Sequence, residues 1–297
     1  SEIPAYGVYV LECYAGKAYC GFSKSPMEPE VYDVSTDMPI PGQKVVIYGK
    51  YLTNLTAVNL CGEIDIDINT VETTEAMDKL TFTMPEQLPT AESNGILTVT
   101  TLGGRATLPF YRYDWIYEDF DGNGTTIDWG WGTNNFGGKP AWGWPALPAS
   151  CPITMKSGNF AYFEAYTSWW DHNFLWNAKA TPEGIDPKTP LSKIELRYEV
   201  YLHELPTIAT TMTSTITVYK QEKAGIPIVD RATGETMPGQ WMSVAVPLTE
   251  FAPSATTYAD ICALNTGDGD FKIYLGYDNA GDFVIIAYDN FRLYVKE

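Results

Sequence analysis

The chain is built from short apolar segments that Gly, Pro, Asn or Asp interrupt at close intervals. Few stretches have a helical period, and most segments alternate in polarity or are rich in β-branched residues. Gly103-Gly104 and Asn279-Ala280-Gly281 are typical of hairpin turns. Representative strand-like segments are 44–48, 96–101, 193–202, 214–219, 271–277 and 283–287. The pattern predicts an all-β chain, with immunoglobulin-like or jelly-roll sandwiches favoured.

Size and charge restrict the function classes. A chain of 297 residues with 45% hydrophobic and 19% charged residues is long enough for two or three folded domains. Its formal net charge is −18, and both halves are acidic. Because binding to nucleic acid depends on phosphate neutralisation, this charge argues against nucleic acid, and equally against anionic polysaccharides and anionic membranes. A neutral ligand is favoured.

The five cysteines indicate neither a zinc site nor a disulfide framework. No two of them have C-x-x-C spacing, their number is odd, and His172 and His203 are the only histidines. The favoured interpretation is that most are free, buried thiols, with a single disulfide as the alternative. The cysteines are Cys13, Cys20, Cys61, Cys151 and Cys262.

A repeat relates two segments near the N-terminus. Residues 7–22 align without a gap to residues 95–110, at an offset of 88 residues that matches the length of one Ig-like domain. Each segment reads as a strand, a tight turn and a second strand. We therefore expect residues 1–25 to be the closing hairpin of a preceding Ig-like domain. A chance likeness between two hairpins is the alternative.

Tryptophan is concentrated in one part of the chain. Eight of the nine tryptophans lie between Trp115 and Trp176, in a stretch that is also rich in Gly, Pro and Asn. A core needs apolar volume but not this density of indole, whereas a binding surface uses the flat apolar ring and its single donor. The C–H face of a sugar ring complements such a surface. The distribution therefore predicts carbohydrate binding.

The candidate binding residues form two clusters. Two W-G-W triplets lie thirteen residues apart, and tryptophans at i and i+2 of an extended segment place their rings on one face, roughly 6–7 Å apart. In the segment 167–176, polar neighbours favour a loop that offers hydrogen bonds to hydroxyl groups. Burial of some indoles under loops is the alternative. The candidates are Trp129, Trp131, Trp142, Trp144, Trp169, Trp170, Trp176, Asp171, His172 and Asn173.

Two further groups carry weaker signals. Asp119-Phe120-Asp121 opens a D-x-D-x-N-G motif whose twelfth position is Gly130, so an EF-hand is excluded. An Asx turn is favoured there, and a structural calcium site built from Asp119 or Asp121 with Asp289 is the alternative. Apart from this calcium, no cofactor is expected.

Glu195, Arg197 and Glu199 share one face of the predicted strand 193–202. Glu195 and Glu199 could be a glycosidase pair, but an exposed polar sheet face explains them more simply. From such a face Arg197 could reach a sugar hydroxyl. No catalytic residues are predicted.

Residues 26–110 resemble the IPT/TIG family of Ig-like domains. The resemblance rests on Pro41-Gly42 before the apolar segment 43–49, on 58–62, on 80–85 and on the hairpin at 103–104. In that family these are a turn, an apolar strand that ends in Gly, two further strands and a closing hairpin. The resemblance implies an Ig-like sandwich that acts as a spacer.

Residues 111–297 resemble a jelly-roll carbohydrate-binding module. They begin with Tyr117-Glu118-Asp119-Phe120-Asp121 and end with Ala287-Tyr288-Asp289-Asn290-Phe291-Arg292-Leu293. In such modules the corresponding opening and closing strands commonly lie side by side. The whole layout resembles the surface glycan-binding lipoproteins of Bacteroidota polysaccharide-utilisation loci, of which the best-known members with this layout bind xyloglucan. This resemblance implies a cell-surface, outer-membrane location, a lipid anchor upstream of Ser1 and an outer-membrane glycan transporter as partner.

The sequence thus predicts a non-catalytic surface protein that binds a neutral, β-glucan-like or xyloglucan-like polysaccharide through exposed tryptophans. Two alternatives remain open at this point. One is a jelly-roll glycoside hydrolase or lyase that uses Glu195 and Glu199. The other is an adhesin or structural surface protein that uses its aromatic residues in protein contacts.

Overall fold

The computed structural model of the chain describes residues 6–23, 26–119, 135–136, 139–140, 153, 160–166, 182, 184–205, 212–265, 272–277 and 283–296. Within these residues the secondary structure is almost entirely antiparallel β-sheet, with one α-helix, α1 (Tyr258–Leu264). None of the helices in this described part has the length and apolar character needed to cross a membrane. The predicted all-β class is confirmed.

The N-terminal residues form an isolated hairpin, with β1 (Tyr6–Cys13) paired to β2 (Gly16–Ser23). Cys13 lies opposite Gly16, so that the turn consists of Tyr14 and Ala15. Gly16 has a φ of 140° in a region that favours glycine. Tyr14 at the tip is fully exposed.

Two four-stranded sheets follow and form an Ig-like sandwich, as the resemblance to IPT/TIG domains implies. Their orders are β3-β4-β8-β7 and β10-β9-β5-β6. The strands are β3 (Glu30–Val34), β4 (Lys44–Lys50), β5 (Leu55–Leu60), β6 (Ile64–Ile66), β7 (Glu72–Thr73), β8 (Lys79–Thr83), β9 (Ile96–Thr101) and β10 (Gly104–Pro109).

Strict alternation builds the core of this sandwich. Val45 and Ile47 on β4 and Leu80 and Phe82 on β8 are buried, while the residues between them are more exposed. The turn before β4 is held by backbone bonds from Gly42 N to the Met84 oxygen (2.8 Å) and from Gln43 N to the Ile40 oxygen (3.1 Å).

The β9–β10 hairpin has the same form as β1–β2. Thr101 lies opposite Gly104, as Cys13 lies opposite Gly16, and Gly104 has a φ of 149°. The two hairpins are thus in register at the predicted offset of 88 residues. That residues 1–25 close a preceding Ig-like domain stays a prediction.

The C-terminal part is a second sandwich, made of a seven-stranded sheet of order β13-β12-β14-β20-β15-β18, with β11 also paired to β20, and a three-stranded sheet of order β17-β16-β19. The strands are β11 (Ile116–Glu118), β12 (Asn135–Phe136), β13 (Lys139–Pro140), β14 (Ala161–Tyr166), β15 (Ile194–Leu202), β16 (Met212–Val218), β17 (Gln221–Pro227), β18 (Trp241–Pro247), β19 (Lys272–Tyr277) and β20 (Phe283–Val295).

One face of the large sheet forms the core against the small sheet. Leu196, Tyr198 and Val200 of β15 belong to this core together with Ile216 and Val218 of β16. At the start of this part, Ile116 pairs with Arg292 and Glu118 with Phe291. The opening and closing segments therefore lie side by side, as in the modules that they resemble.

Three cysteines lie among the residues whose side chains are described, and all three are free. Cys61 is buried and donates its Sγ hydrogen to the Phe110 oxygen over 3.1 Å, and Cys262 is partly buried. Cys13 is exposed, so the expectation of a buried thiol is wrong there. Burial raises the pKa of the Cys61 thiol to about 11. The side chains of Cys20 and Cys151 lie outside the described residues.

Candidate functional site

The tryptophan-rich segments all connect to one edge of the large sheet. β12 and β13 form the edge, and β14 is the next strand inward. Asn135 lies opposite Tyr162 on β14 and opposite Pro140 on β13, with all three strands antiparallel to their neighbours. The chain therefore enters β12, and leaves β13 and β14, at the same end of this edge.

The predicted binding residues follow or precede these strands in the sequence. One W-G-W triplet comes shortly before β12, the other shortly after β13, and the 167–176 cluster begins directly after β14. The residues themselves lie outside the described part of the chain, so their role stays a prediction. They are Trp129, Trp131, Trp142, Trp144, Trp169, Trp170, Trp176, Asp171, His172 and Asn173.

The structure corrects the expectation for Arg197. Its side chain is 0% exposed, because the face of β15 that carries it packs against the Ig-like domain. Its guanidinium donates to Asp37 over 3.1 Å, to Asp33 over 3.2 Å and to Glu195 over 3.1 and 3.2 Å. Arg197 also lies 3.3 Å from the ring centroid of Tyr294, a cation–π contact. It is therefore a residue of the domain junction and not of an exposed sugar-binding face.

Arg292 of β20 extends this buried network. It donates to both carboxylate oxygens of Asp37, over 2.8 and 2.9 Å, and to both oxygens of Glu199, each over 2.9 Å. Such paired, charge-assisted bonds suit the planar guanidinium and would not be reproduced by lysine. A third arginine, Arg231, donates to Asp33 and to the backbone oxygens of Val34 and Ser35.

The charge state of Asp37 follows from its neighbours. Burial alone would raise the pKa of this carboxyl, but the opposing charges of Arg292 and Arg197 hold it well below its usual range. The carboxylates in turn raise the pKa of both guanidinium groups despite their burial. Asp37 therefore stays ionised and connects Arg197 and Arg292 of the C-terminal sandwich to the Ig-like domain.

The two glutamates considered as catalytic acids belong to the same buried network. Glu195 pairs with Arg197 and Lys296, and Glu199 pairs with Arg292. Both are buried beneath the Ig-like domain, with 7% and 1% of their surfaces exposed. A glycosidase pair needs access to the substrate, which two buried carboxylates paired with arginines do not have. The exposed polar face predicted for this strand is wrong, and the hydrolase alternative loses the residues that motivated it.

The structure describes two of the three aspartates of the predicted calcium site. Asp119 and Asp289 are both buried, while Asp121 lies outside the described residues. Among the residues that the structure describes, no group of three or more His, Cys, Asp or Glu is placed to hold a metal ion. A structural calcium that includes Asp121 stays a prediction.

Two aromatic residues on this same sheet face were missed in the sequence. Tyr201 continues the alternation of Arg197 and Glu199 along β15, and Trp241 lies opposite it on β18. Their rings are 5.7 Å apart, and Trp241 remains partly exposed. Trp241 is the ninth tryptophan, remote in sequence from the other eight, and only the pairing of the two strands brings it to this face.

Comparison with known proteins shows the family of the chain. The model of the surface glycan-binding protein B xyloglucan-binding domain matches residues 111–295. The chain belongs to this family. The match covers the complete second sandwich, from the start of β11 to the end of β20.

Relatives extend the likeness to the Ig-like part. An IPT/TIG domain-containing protein of Bacteroides ovatus is 28% identical over an alignment of length 297, which covers 98% of this chain and 57% of that protein. The SGBP-B from a complex xyloglucan utilization locus in Bacteroides uniformis is 26% identical, with a TM-score of 0.69 over 99% of this chain and 80% of that one.

A third relative shares the fold. A crystal structure with xylogluco-oligosaccharide has a TM-score of 0.72 at 24% identity and covers 100% of this chain but 64% of the other. The chain thus spans less than two thirds of the length of this structure and of the B. ovatus relative. The family and its B. uniformis member are named as surface glycan-binding proteins and not as enzymes, which agrees with the prediction of a non-catalytic chain.

Proposed function

We propose that the C-terminal sandwich binds a neutral β-glucan of the xyloglucan type, without cleaving it, through indoles of the segments 129–144 and 167–176. The observation that carries this proposal is the common end of the sheet edge at which the chain enters β12 and leaves β13 and β14. Three tryptophan-bearing segments are tethered there within a few residues of one another. A large aromatic ledge at that position would stack on successive sugar rings.

Charge and family point to the same ligand class. The net charge of −18 disfavours acidic polysaccharides, and three of the five arginines, Arg197, Arg231 and Arg292, are already paired with carboxylates at the junction. The solved relatives include one from a xyloglucan utilization locus and one described with a xylogluco-oligosaccharide. Xyloglucan is therefore the first polysaccharide to test.

Affinity gel electrophoresis against xyloglucan, mixed-linkage β-glucan, mannan and xylan tests the proposal. We expect xyloglucan to retard the protein, with mixed-linkage glucan weaker. Replacing Trp169 and Trp170 together by alanine should weaken binding at least about 30-fold, since aromatic anchors of this kind contribute ~2 kcal/mol or more. Tyr14→Ala is the matched control, because Tyr14 is exposed but lies in the N-terminal hairpin.

Two results would contradict this proposal. The first is that none of the neutral polysaccharides retards the protein. The second is that the double tryptophan variant is retarded as strongly as the wild type while its far-UV spectrum is unchanged. Release of reducing ends from xyloglucan by the purified protein would instead contradict the non-catalytic part.

We further propose that the protein acts at the cell surface, held to the outer membrane by a lipid anchor upstream of Ser1, and passes glycan to an outer-membrane transporter. The family's name supports a surface location. The anchor and the transporter rest on the resemblance. Protease accessibility on intact cells that express the full-length protein tests the location, and co-purification in mild detergent tests the transporter.

A further inference from the structure

A pocket lies where the two domains meet, away from the sheet edge described above. It has a volume of about 390 Å³ and lies between the turn 40–43 of the Ig-like domain and Tyr201 with residues 239–241 of the C-terminal sandwich. Pockets that hold small ligands or parts of larger ones start at roughly 300 Å³. This one is large enough for a single sugar unit.

The apolar wall of the pocket is the indole of Trp241. Its orientation is held by two edge contacts, with the ring of Phe160 at 5.8 Å and the ring of Tyr201 at 5.7 Å. Phe160 is fully buried, whereas Trp241 is partly exposed. A fixed aromatic ring that borders an open pocket offers a stacking surface at little entropic cost.

The polar groups of the pocket are uncharged. Gln43 accepts a hydrogen bond from the Ile40 backbone N over 3.0 Å through its Oε1, so its amide NH₂ is the group that it can offer. Gln240 is exposed and adds a second amide. Among the described residues that line the pocket there is no Asp, Glu, Lys or Arg. Amides beside an aromatic ring suit the hydroxyls and C–H face of a neutral pyranose.

The position of the pocket connects it to the proposed glycan site. Trp241, Tyr201 and Ala287 are direct partners across β18, β15 and β20, and Ala287 is the partner of Tyr162 on β14. Three strand spacings of about 4.8 Å each separate β18 from β14, or ~15 Å in all. The end of β14 at Tyr166 lies four residues beyond Tyr162, or ~13 Å further along the strand. A polysaccharide of several units bound beside β14 could therefore extend to the junction.

We infer that the junction pocket is a second carbohydrate contact, which takes one pyranose unit of the same neutral glycan against Trp241, Gln43 and Gln240. This inference rests on the proposed function, because the glycan that reaches the pocket is the one bound by the tryptophan-bearing segments. It also gives the Ig-like domain a direct role in binding, since the turn 40–43 forms one wall.

Fluorine NMR on the full chain labelled with 5-fluorotryptophan tests the inference. Trp241→Phe assigns the Trp241 resonance by its loss and keeps an aromatic ring for packing. Titration with xyloglucan oligosaccharides of increasing length should shift the Trp241 resonance once the chain is long enough to reach the pocket. Gln240→Ala should reduce affinity for long oligosaccharides about three- to tenfold and leave short ones unaffected. Gln87→Ala, an exposed glutamine of the Ig-like domain, is the matched control.

The outcomes separate the two proposals. If other indole resonances shift on titration while Trp241 does not, and Gln240→Ala binds long oligosaccharides as the wild type does, the pocket is not a sugar contact and the proposed function stands. If no resonance shifts with any oligosaccharide and xyloglucan does not retard the protein, the proposed function fails and the inference fails with it.

Discussion

The buried carboxylate of Asp37 offers a sharp test of how the two domains are joined. It accepts one hydrogen bond from Arg197 and two from Arg292, so three charge-assisted bonds cross the junction through a single side chain. Asp37→Asn keeps the shape of the side chain and removes its charge. Both guanidinium groups then remain buried with one compensating carboxylate fewer.

The expected loss of stability follows from this geometry. Removal of one partner from a buried ion pair typically lowers the free energy of unfolding by about 3–5 kcal/mol. Arg197 keeps Asp33 and Glu195, and Arg292 keeps Glu199. We therefore expect a loss near the lower end, about 3 kcal/mol. Removing the opposing charge as well, in Asp37→Asn with Arg292→Met, should cost less than the two single changes added together.

Urea denaturation followed by far-UV circular dichroism measures the effect. Asp65→Asn is the matched control, since Asp65 is exposed and its change should stay within about 0.5 kcal/mol. A loss below about 0.5 kcal/mol in Asp37→Asn would show that the buried network does not stabilise the junction. Strict additivity in the double variant would show that the two residues are not coupled.

The same residue predicts the response to acid. Because the folded-state pKa of Asp37 is lowered, the unfolded chain binds this proton more readily than the folded chain does. The stabilisation is therefore complete above the ordinary aspartate value of about 4 and is lost as pH falls below it towards the folded-state pKa. Asp37→Asn should lack this part of the acid destabilisation, which is checked by repeating the urea series between neutral pH and about pH 3.

Two further predictions concern local features. Cys13 should react with iodoacetamide in the folded protein while Cys61 stays protected, because Cys13 is exposed and Cys61 is buried with its pKa raised to about 11. Mass spectrometry of the labelled peptides checks this prediction. Equal labelling of the two cysteines would contradict it. Thr257→Ala should destabilise the protein by about 1 kcal/mol, because Thr257 and Asp260 form a capping box at α1. In the wild type, bonds from Thr256 and Thr257 lower the pKa of Asp260 to about 2, which an NMR titration of its carboxyl carbon can measure; an ordinary aspartate value would show that the cap is not formed.

Local patterns were sufficient to predict several strands and the turn at 103–104. The alternation at 44–48 predicted β4, and the aligned hairpins at 7–22 and 95–110 have matching registers in the structure. These features depend on residues close together in sequence, such as a turn glycine between two alternating runs. The family's opening and closing motifs also correctly placed β11 beside β20.

The junction could not be predicted in the same way. Alternation shows that Glu195, Arg197 and Glu199 do not face the core of their own sandwich, but it does not reveal what covers the other face. That depends on Asp33 and Asp37, which lie about 160 residues earlier in the chain. Three of the five arginines meet here, and arginine is preferred to lysine in buried ion pairs, but their positions 197, 231 and 292 are far apart in the sequence, which does not show that they meet.

The buried network also affects which ligands the charged groups of the chain can attract. Three of the five arginines are paired with carboxylates at the junction, so the remaining basic residues of the chain are mostly lysines. Against the many remaining acids, those lysines form no surplus of positive charge to attract a polyanion. Affinity for a glycan therefore has to come from ring stacking and neutral hydrogen bonds. Both are available at the junction pocket, and the proposed function assigns the same chemistry to the tryptophan-bearing segments that adjoin β12, β13 and β14 in the sequence.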